Sequence, residues 1–164
     1  MDIINDTFGA LSRETPADMG AAARQLRPDL VYSILLANAA LDADSVALFH
    51  STHGNTQTGA LASATLQTTL SAMMKQRIKN RPLNVRGAYL IVPADLQWTA
   101  RQLIESAEIR EAAAANGTKN VISDAGLMVR SDDRIGAAGV VDPVDGTSRT
   151  GSATNYFVAA QPGV

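Results

Sequence analysis

Apolar residues near the start of the chain recur at the spacing of an α-helix. Thr15-Pro16-Ala17-Asp18 combines a hydroxyl cap, a proline at the first helical position and an acid in the first turn, which indicates a helix start. We predict helix to about Asn38, with a kink or a second start at Arg27-Pro28-Asp29, because proline removes a helical hydrogen bond. The first ten residues are predicted to be a strand or an extended arm. The predicted buried face of the helix consists of Leu30, Val31, Ile34 and Leu35.

A polar stretch separates this segment from a second predicted helix. Residues 41–62 contain the short apolar run Val46–Phe49, and glycine, threonine and asparagine are concentrated in residues 52–59, which predicts an ordered or semi-ordered loop. Ser63 is predicted to cap a helix that continues to Lys79. Its apolar stripe consists of Leu66, Leu70, Met73 and Met74.

The third quarter of the chain has the pattern of a strand that turns directly into a helix. Ala88–Val92 is a short apolar run typical of a buried strand, and Pro93-Ala94-Asp95 is predicted to turn the chain into a helix. A further helix is predicted from Glu108 to Ala115. The apolar face of the helix after the turn consists of Leu96, Ala100, Leu103 and Ile104.

After Lys119 the pattern changes to short strands separated by turns at Asp132-Asp133 and Asp145-Gly146. The predicted strands are Val121-Ile122, Leu127–Val129, Val140-Val141 and Tyr156–Val158. A mostly helical first half and a mostly sheet-forming second half predict the α+β class.

Composition narrows the classes of function. The 164 residues are 46% hydrophobic and carry 14 Lys and Arg against 16 Asp and Glu, a formal net charge of −2. This balance does not fit a polybasic nucleic-acid binder, which needs clustered Lys and Arg. The sequence contains no cysteine, which excludes a disulfide framework, a thiol nucleophile and a thiolate metal site. It also lacks an apolar run of about 18 residues and a secretory signal, so we expect neither a membrane-spanning helix nor export by that route.

The two histidines form the spaced pair His50-x-x-His53. Zinc usually binds three or four ligands, and the metalloprotease motif places two histidines four apart around a glutamate. The pair meets neither condition. We therefore predict that these histidines pack within their loop or face solvent, and we assign no metal-binding residue.

The segment Asp142–Thr147 resembles the D-P-[IL]-D-G-T signature of the inositol-monophosphatase family, in which the two aspartates hold magnesium. One alternative function is therefore a small Mg²⁺-dependent phosphatase that uses Asp142 and Asp145, since carboxylates suit this ion. That family also needs further acidic residues upstream and downstream, which the sequence does not provide at those places. The same residue types suit a tight turn between strands, which is the interpretation that we favour. No nucleophile elbow or glycine-rich phosphate loop occurs, and we assign no catalytic or cofactor-binding residue.

Several segments occur in a characteristic order along the chain. They are Leu48-Phe49-His50, His53-Gly54-Asn55, the predicted 63–79 helix, Pro82–Arg86, Tyr89–Pro93 and Thr99–Leu103, with Ile3–Asp6 and Asn155–Val158 near the two ends. Together they resemble the major capsid proteins of tailed phages and prophages. The resemblance is to Mu-like major head subunits and to capsid proteins encoded behind a prohead protease.

The resemblance implies an α+β fold of the Hong Kong 97 type. Residues 1–82 are then part of a peripheral domain with spine-type helices, and residues 83–164 form an axial domain with a central sheet flanked by helices. It also implies a structural shell protein without enzymatic activity, metal or cofactor, located in the virion capsid and in the host cytoplasm during assembly. The implied partners are copies of the chain in pentamers and hexamers, other head proteins and, weakly, packaged DNA, with no membrane.

Two features of the family pattern are expected to lie outside this chain: the N-terminal arm with the extended loop, and the closing strands. The chain is therefore expected to be a fragment, a proteolytic core or a truncated prophage gene product. Within it, the turn-rich segment Arg130–Arg149 is the predicted contact near the capsomer axis. A second alternative function is a binding module that does not self-assemble.

Overall fold

The computed structural model describes residues 14–109 and 118–161. Within these ranges the fold is α+β, with three α-helices, a central three-stranded sheet and three two-stranded ribbons. The predicted N-terminal arm and most of the helix predicted at 108–115 lie outside the described residues. Short 3-10 turns occupy Ser51–His53, Ala94–Leu96, Ser123–Ala125 and Asp133–Ile135.

Helix α1 spans Thr15–Ala37, so the predicted helical stretch is confirmed. Its first turn carries the proline and the acid expected there, and Asn38 ends it in the left-handed conformation with φ 44°. The helix continues through Pro28 instead of restarting. Contacts on both sides of the proline hold it, because Gln25 before it accepts a hydrogen bond from Arg134 and Asp29 after it is ion-paired with the same guanidinium.

The predicted buried face of α1 is wrong. Leu30, Val31 and Ile34 are 39%, 56% and 55% exposed, and Leu35 is half-buried. The face that contacts the rest of the protein is the one that carries Asp29, Tyr32 and Ser33, and it meets the 133–141 segment. Helical spacing identified the apolar residues correctly, but a polar contact decides which side of the helix faces inward.

Helix α2 spans Ser63–Met74 and is shorter than predicted. The predicted cap at Ser63 is wrong, because the N-cap position is Ala62, whose amide donates to Thr65 Oγ1. Strands β1 (Arg77–Ile78) and β2 (Arg81–Pro82) follow as an antiparallel hairpin. Its two turn residues, Lys79 and Asn80, have φ values of 47° and 68°, as in a type I′ turn, whose twist suits a two-residue hairpin. The predicted extension of the helix to Lys79 is therefore wrong. The expected ordered loop before α2 is confirmed, with a bridge between Ala40 and Ala47.

The central sheet has the strand order β6-β3-β9. Strand β3 (Gly87–Val92) pairs in parallel with β6 (Met128–Ser131) and antiparallel with β9 (Phe157–Ala160). Helix α3 (Gln97–Glu105) lies in the crossover between the parallel strands. All three strands and this helix were predicted within a few residues.

The core lies between the sheet, α2 and α3. Ala100 and Ile104 of the predicted α3 face are buried, and Leu96 and Leu103 pack at its edge, which confirms that face. Leu90 and Val92 are fully buried in β3. The remaining buried members are Leu61, Leu66, Ile122 and Leu127.

Two short ribbons complete the second half. Strands β4 (Glu108–Ile109) and β5 (Thr118–Lys119) pair antiparallel, and so do β7 (Val140–Val141) and β8 (Ser148–Arg149). The predicted strand at Val121-Ile122 is wrong, because these residues lie in a turn that buries Ile122 in the core. The predicted helix start at Glu108 is also wrong, since that residue lies in β4.

A buried amide explains why the chain turns at this point. Asn120 is fully buried, and its Nδ2 donates to the carbonyl oxygens of Leu103 (2.6 Å) and Ser106 (2.9 Å) at the end of α3. Its Oδ1 accepts from the backbone N–H of Ile122 at 3.0 Å. One side chain therefore satisfies the last carbonyls of the helix and fixes the following turn.

We predict that Asn120→Ala lowers the free energy of unfolding by about 2–3 kcal/mol, because it leaves buried carbonyl groups without a donor. Chemical denaturation with a two-state fit measures the change. Asn155→Ala, at an exposed position, is the control and should change stability by less than about 0.5 kcal/mol. Equal losses in the two variants would contradict the assignment.

Candidate subunit interface

The β7–β8 ribbon presents the most exposed turn of the predicted interface segment. The Asp142 amide donates to the Thr147 carbonyl at 2.8 Å, and the Gly146 amide donates to the Asp142 carbonyl at 2.9 Å. Asp142 Oδ1 also accepts from the amide of Val144, and Asp145 Oδ1 accepts from the amide of Thr147. The predicted tight turn is therefore confirmed, and both aspartates stabilise it through their own backbone.

Arg149 holds the two aspartates together across this ribbon. Its Nη2 lies 2.9 Å from Asp145 Oδ2 and 3.4 Å from Asp142 Oδ2. Hydrogen bonds from Thr147 and the charge of Arg149 lower the pKa of Asp145. Among the described residues, no group of three or more His, Asp or Glu side chains is placed to share a cation. Asp142 and Asp145 are turn residues that share one guanidinium, which offsets one of their two negative charges.

Two close backbone contacts fix the ribbon to its support. Gly139 has φ +69°, and a Cβ added there would lie 1.9 Å from the Arg149 carbonyl oxygen. A Cβ added to Gly151 would lie 2.3 Å from the carbonyl oxygens of Ile135 and Gly136. Side chains larger than hydrogen do not fit at either position, so the base of the ribbon is rigidly seated.

Arg134 joins this segment to α1. Its Nε donates to Asp29 Oδ1 at 2.5 Å, its Nη2 donates to Gln25 Oε1, and its Nη1 lies 3.2 Å from Asp132 Oδ1. Asp132 also caps the 3-10 turn by accepting from the Arg134 amide. Burial and the neighbouring Asp132 raise the pKa of Tyr32 to about 12, so the phenol stays protonated beside this network. The guanidinium thus bridges one carboxylate on α1 and one in the 130–149 segment.

The outer surface of these elements is apolar at several points. Val141 is 59% exposed and Val144, at the tip of the ribbon, is 80% exposed. Helix α1 and the turn after it expose six large apolar side chains, which we call the α1 patch: Met19, Leu26, Leu30, Val31, Ile34 and Leu41. Exposed apolar surface next to a rigidly held turn is typical of a protein–protein interface.

The histidine pair lies within the predicted loop, which contacts Asn38 at the end of α1. His53 Nε2 lies 2.8 Å from Asp44 Oδ2, and its Nδ1 lies 3.1 Å from the Leu48 carbonyl oxygen. Both neighbours are acceptors, so the doubly protonated ring satisfies them best. The hydrogen bond with Asp44 raises the pKa of His53, and the same contact lowers the pKa of Asp44. His50 packs locally and accepts a hydrogen bond from the Thr52 amide, as the prediction of loop packing requires.

A groove of about 750 Å³ lies beside this loop. Its walls come from the end of α1, residues 49–59, α2 and residues 150–158, with the Phe49 and Phe157 rings 5.3 Å apart. None of the described residues that line it is Asp, Glu, Lys or Arg. The groove therefore offers apolar surface and amide groups, and among the described residues that line it the His53 ring is the one side chain that carries positive charge when protonated. No helix of the described residues is long and apolar enough to span a membrane.

We predict that the His53–Asp44 contact makes the loop more stable at pH 6 than at pH 8. The pKa of His53 is raised, so its contribution is fully present below about pH 6.5 and is lost as the pH rises through the folded-state pKa. Asp44, whose pKa is lowered, keeps its charge until the pH falls well into the acid range. NMR titration of the His53 ring and thermal unfolding at the two pH values measure the effect.

Matched variants separate this contact from general pH effects. Asp44→Asn should lower the His53 pKa and remove most of the stability difference, whereas His50→Gln should leave both unchanged. A His53 ring that titrates at or below the value of free histidine would refute this description of the loop.

Comparison with known proteins identifies the family of the chain. A family model described as phage capsid protein matches residues 1–164. No curated protein and no solved structure matches the chain. Since the family match spans the whole sequence, the chain belongs to the phage capsid proteins and is a structural protein of the bacteriophage virion.

Proposed function

We propose that this protein is a major head subunit of a tailed phage or prophage, and that its copies associate with one another into capsomers. Membership of the phage capsid family is the observation that carries the proposal. The described geometry supports it, because the aspartate-rich turn is organised around its own backbone and the surface beside it is apolar. Assembly in the host cytoplasm and contact with other head proteins belong to the same proposal.

We propose a Hong Kong 97-type arrangement for the chain. A helix of 23 residues, about 35 Å long, and a sheet whose parallel strands are joined through a helix are the features that support it. In this arrangement residues 1–82 belong to a peripheral domain and residues 83–164 form the axial domain. Arg134 and Asp29 then form an ion pair across the boundary, which keeps the two parts in a fixed orientation.

The β7–β8 ribbon is the proposed contact near the capsomer axis. Arg149 offsets one of the two turn charges, which lowers the electrostatic penalty when the tip approaches another subunit. Pro143 and Val144 lie at the tip of the ribbon. The Val144 side chain is not covered by any of the described residues. A rigid apolar tip loses little conformational entropy when it is buried in an interface.

We predict that Val144→Asp weakens self-association at least tenfold and leaves the monomer folded. Native mass spectrometry over a concentration series measures the oligomers, and circular dichroism measures the fold. Val121→Asp, which places the same charge on a residue that is 58% exposed in another turn, is the control and should assemble like the wild type.

Arg149→Ala should also impair assembly, because it leaves two carboxylates unneutralised at the contact. Unchanged assembly in both Val144→Asp and Arg149→Ala would rule out the ribbon as the contact.

We propose that the β1–β2 hairpin makes the weak contact with packaged DNA. Arg77, Lys79 and Arg81 are exposed on it, with Lys75 just before it. The sequence contains no Asp or Glu between residues 61 and 94, so no acid of this stretch offsets these charges. A small basic hairpin on a chain of net charge −2 suits backbone contact that salt weakens readily.

We predict that Arg77→Gln/Lys79→Gln/Arg81→Gln reduces binding to a 20-base-pair duplex at low salt and makes the salt dependence shallower by about two to three counterions. Fluorescence anisotropy across a salt series measures both quantities. Arg24→Gln/Arg27→Gln, which removes two exposed cations from α1, is the control. A triple variant with the same salt slope as the wild type would exclude the hairpin as the DNA contact.

A further inference from the structure

The groove beside the histidine loop has walls of one chemical character. Among the described residues that line it, apolar side chains such as Leu83, Val85 and Phe157 are mixed with neutral amides and hydroxyls. None of these lining residues is Asp, Glu, Lys or Arg. Its volume of about 750 Å³ is within the range of about 300–1,000 Å³ for pockets that hold small ligands, so it has room for the tip of a turn.

One side of the groove comes from a basic part of the chain. Residues 61–94, which include α2 and the hairpin after it, contain five Lys and Arg and no Asp or Glu. Two of these cations, Lys75 and Arg86, are exposed, and each directly neighbours a lining residue in the sequence. On the loop side, the Asp44 carboxylate is engaged by His53 at 2.8 Å. The surroundings of the groove therefore favour an occupant that combines apolar surface with negative charge.

The tip of the β7–β8 ribbon has the complementary properties. Val144 at the tip is 80% exposed, and Pro143 beside it is exposed as well. Next to them, Asp142 and Asp145 share Arg149, which leaves a net charge of −1. An apolar end on a turn of net negative charge matches the apolar interior and the basic side of the groove.

The tip does not reach the groove of its own chain. Thr150 and Gly151 line the groove and directly follow β8, so the groove begins at the base of the ribbon. That base is fixed by the backbone contacts at Gly139 and Gly151, and the tip lies at the other end of the ribbon. A tip in this groove therefore belongs to a second copy. Because ribbon and groove adjoin, rotation about a nearby axis brings the tip of one copy to the groove of the next.

We infer that the β7–β8 ribbon of one copy inserts Pro143 and Val144 into the groove of a neighbouring copy. The inference rests on the proposed self-association of the chain and names the surface that receives the ribbon. Tip and groove are different surfaces, so each copy gives one tip and receives one, and the series closes into a ring where the rotation allows it. A tip of two residues buries less than the roughly 1,200–2,000 Å² of a stable interface, so one contact is weak and ring closure strengthens it.

A carboxylate in the groove should oppose the tip. We expect Asn155→Asp, an isosteric change at an exposed lining residue, to weaken association about threefold or more at low salt, and added salt should reduce the loss. Asn155→Ala, which adds no charge, is the matched control and should associate like the wild type. Leu83→Asp, at a lining residue that is 41% exposed, should weaken association about tenfold. Sedimentation velocity measures association, and circular dichroism checks that each variant is folded.

Engineered cysteines test the geometry directly, because the chain contains no cysteine of its own. Val144→Cys chains are mixed with Asn155→Cys or Leu83→Cys chains, assembled, and oxidised with copper phenanthroline. We expect disulfide-linked dimers that contain one chain of each kind, which mass spectrometry identifies when one chain is isotope-labelled. Val144→Cys mixed with Trp98→Cys, a residue on α3 that is 72% exposed, reports the background of random linkage.

The outcomes separate this inference from the proposed function. A wild-type chain that stays monomeric at every concentration overturns both. A wild type that assembles, with neither groove cysteine linked to Val144→Cys above the Trp98→Cys background and with Leu83→Asp and Asn155→Asp unimpaired, overturns the tip-in-groove contact alone and assigns the groove to another occupant. Val144→Cys chains that link mainly to one another place the tip against a second tip, which also overturns the contact.

Discussion

The Arg134 guanidinium determines how the two halves of this protein sit together. It donates to Asp29 on α1 and to Asp132 just after β6, and the Asp132 amide in turn donates to the Val92 carbonyl at the end of β3. The direction of α1 is therefore tied to the central sheet through one side chain and two carboxylates. A partly buried cation between two anions tolerates little rotation, because any movement leaves a charge unpaired.

That contact also determines which surfaces remain open. By drawing the polar side of α1 inward, it turns the apolar side of the helix to the outside. Ile135 and Val140 are buried where α1 contacts residues 133–141. Gly151 lies against the backbone of Ile135 and Gly136. The ribbon and the α1 patch thus lie on elements that contact each other directly.

Local sequence patterns predicted the central sheet and α3. They did not predict the elements whose position depends on polar contacts. Strand β3 and the α3 face were predictable because their apolar periodicity and their packing agree. The inward face of α1 was not, since it depends on Arg134, which lies 105 residues from Asp29 in the sequence. The hairpin after α2 was missed because Lys79 and Asn80 adopt left-handed conformations without a glycine signal. The structural role of Asn120 could not be predicted from the sequence, because a single buried amide produces no periodic pattern.

The predicted interface shows the same division. The turn at Asp142–Thr147 was recognisable from residue types that favour turns, and its exposed tip follows from that geometry. The α1 patch could be identified only from the structure, because helical spacing shows which residues form an apolar stripe but not whether that stripe is buried.

Among the described residues, 14 large hydrophobic side chains are exposed while ten hydrophobic residues are buried. The small core leaves much of the apolar surface outside, which is unfavourable for an isolated monomer and favourable for a subunit that neighbours cover. Since binding to the folded state alone stabilises it by mass action, the proposed self-association would add to the stability of such a subunit. The Arg134 network already holds α1 against the 132–141 segment in the single chain, so the proposed assembly starts from a fixed arrangement of these elements.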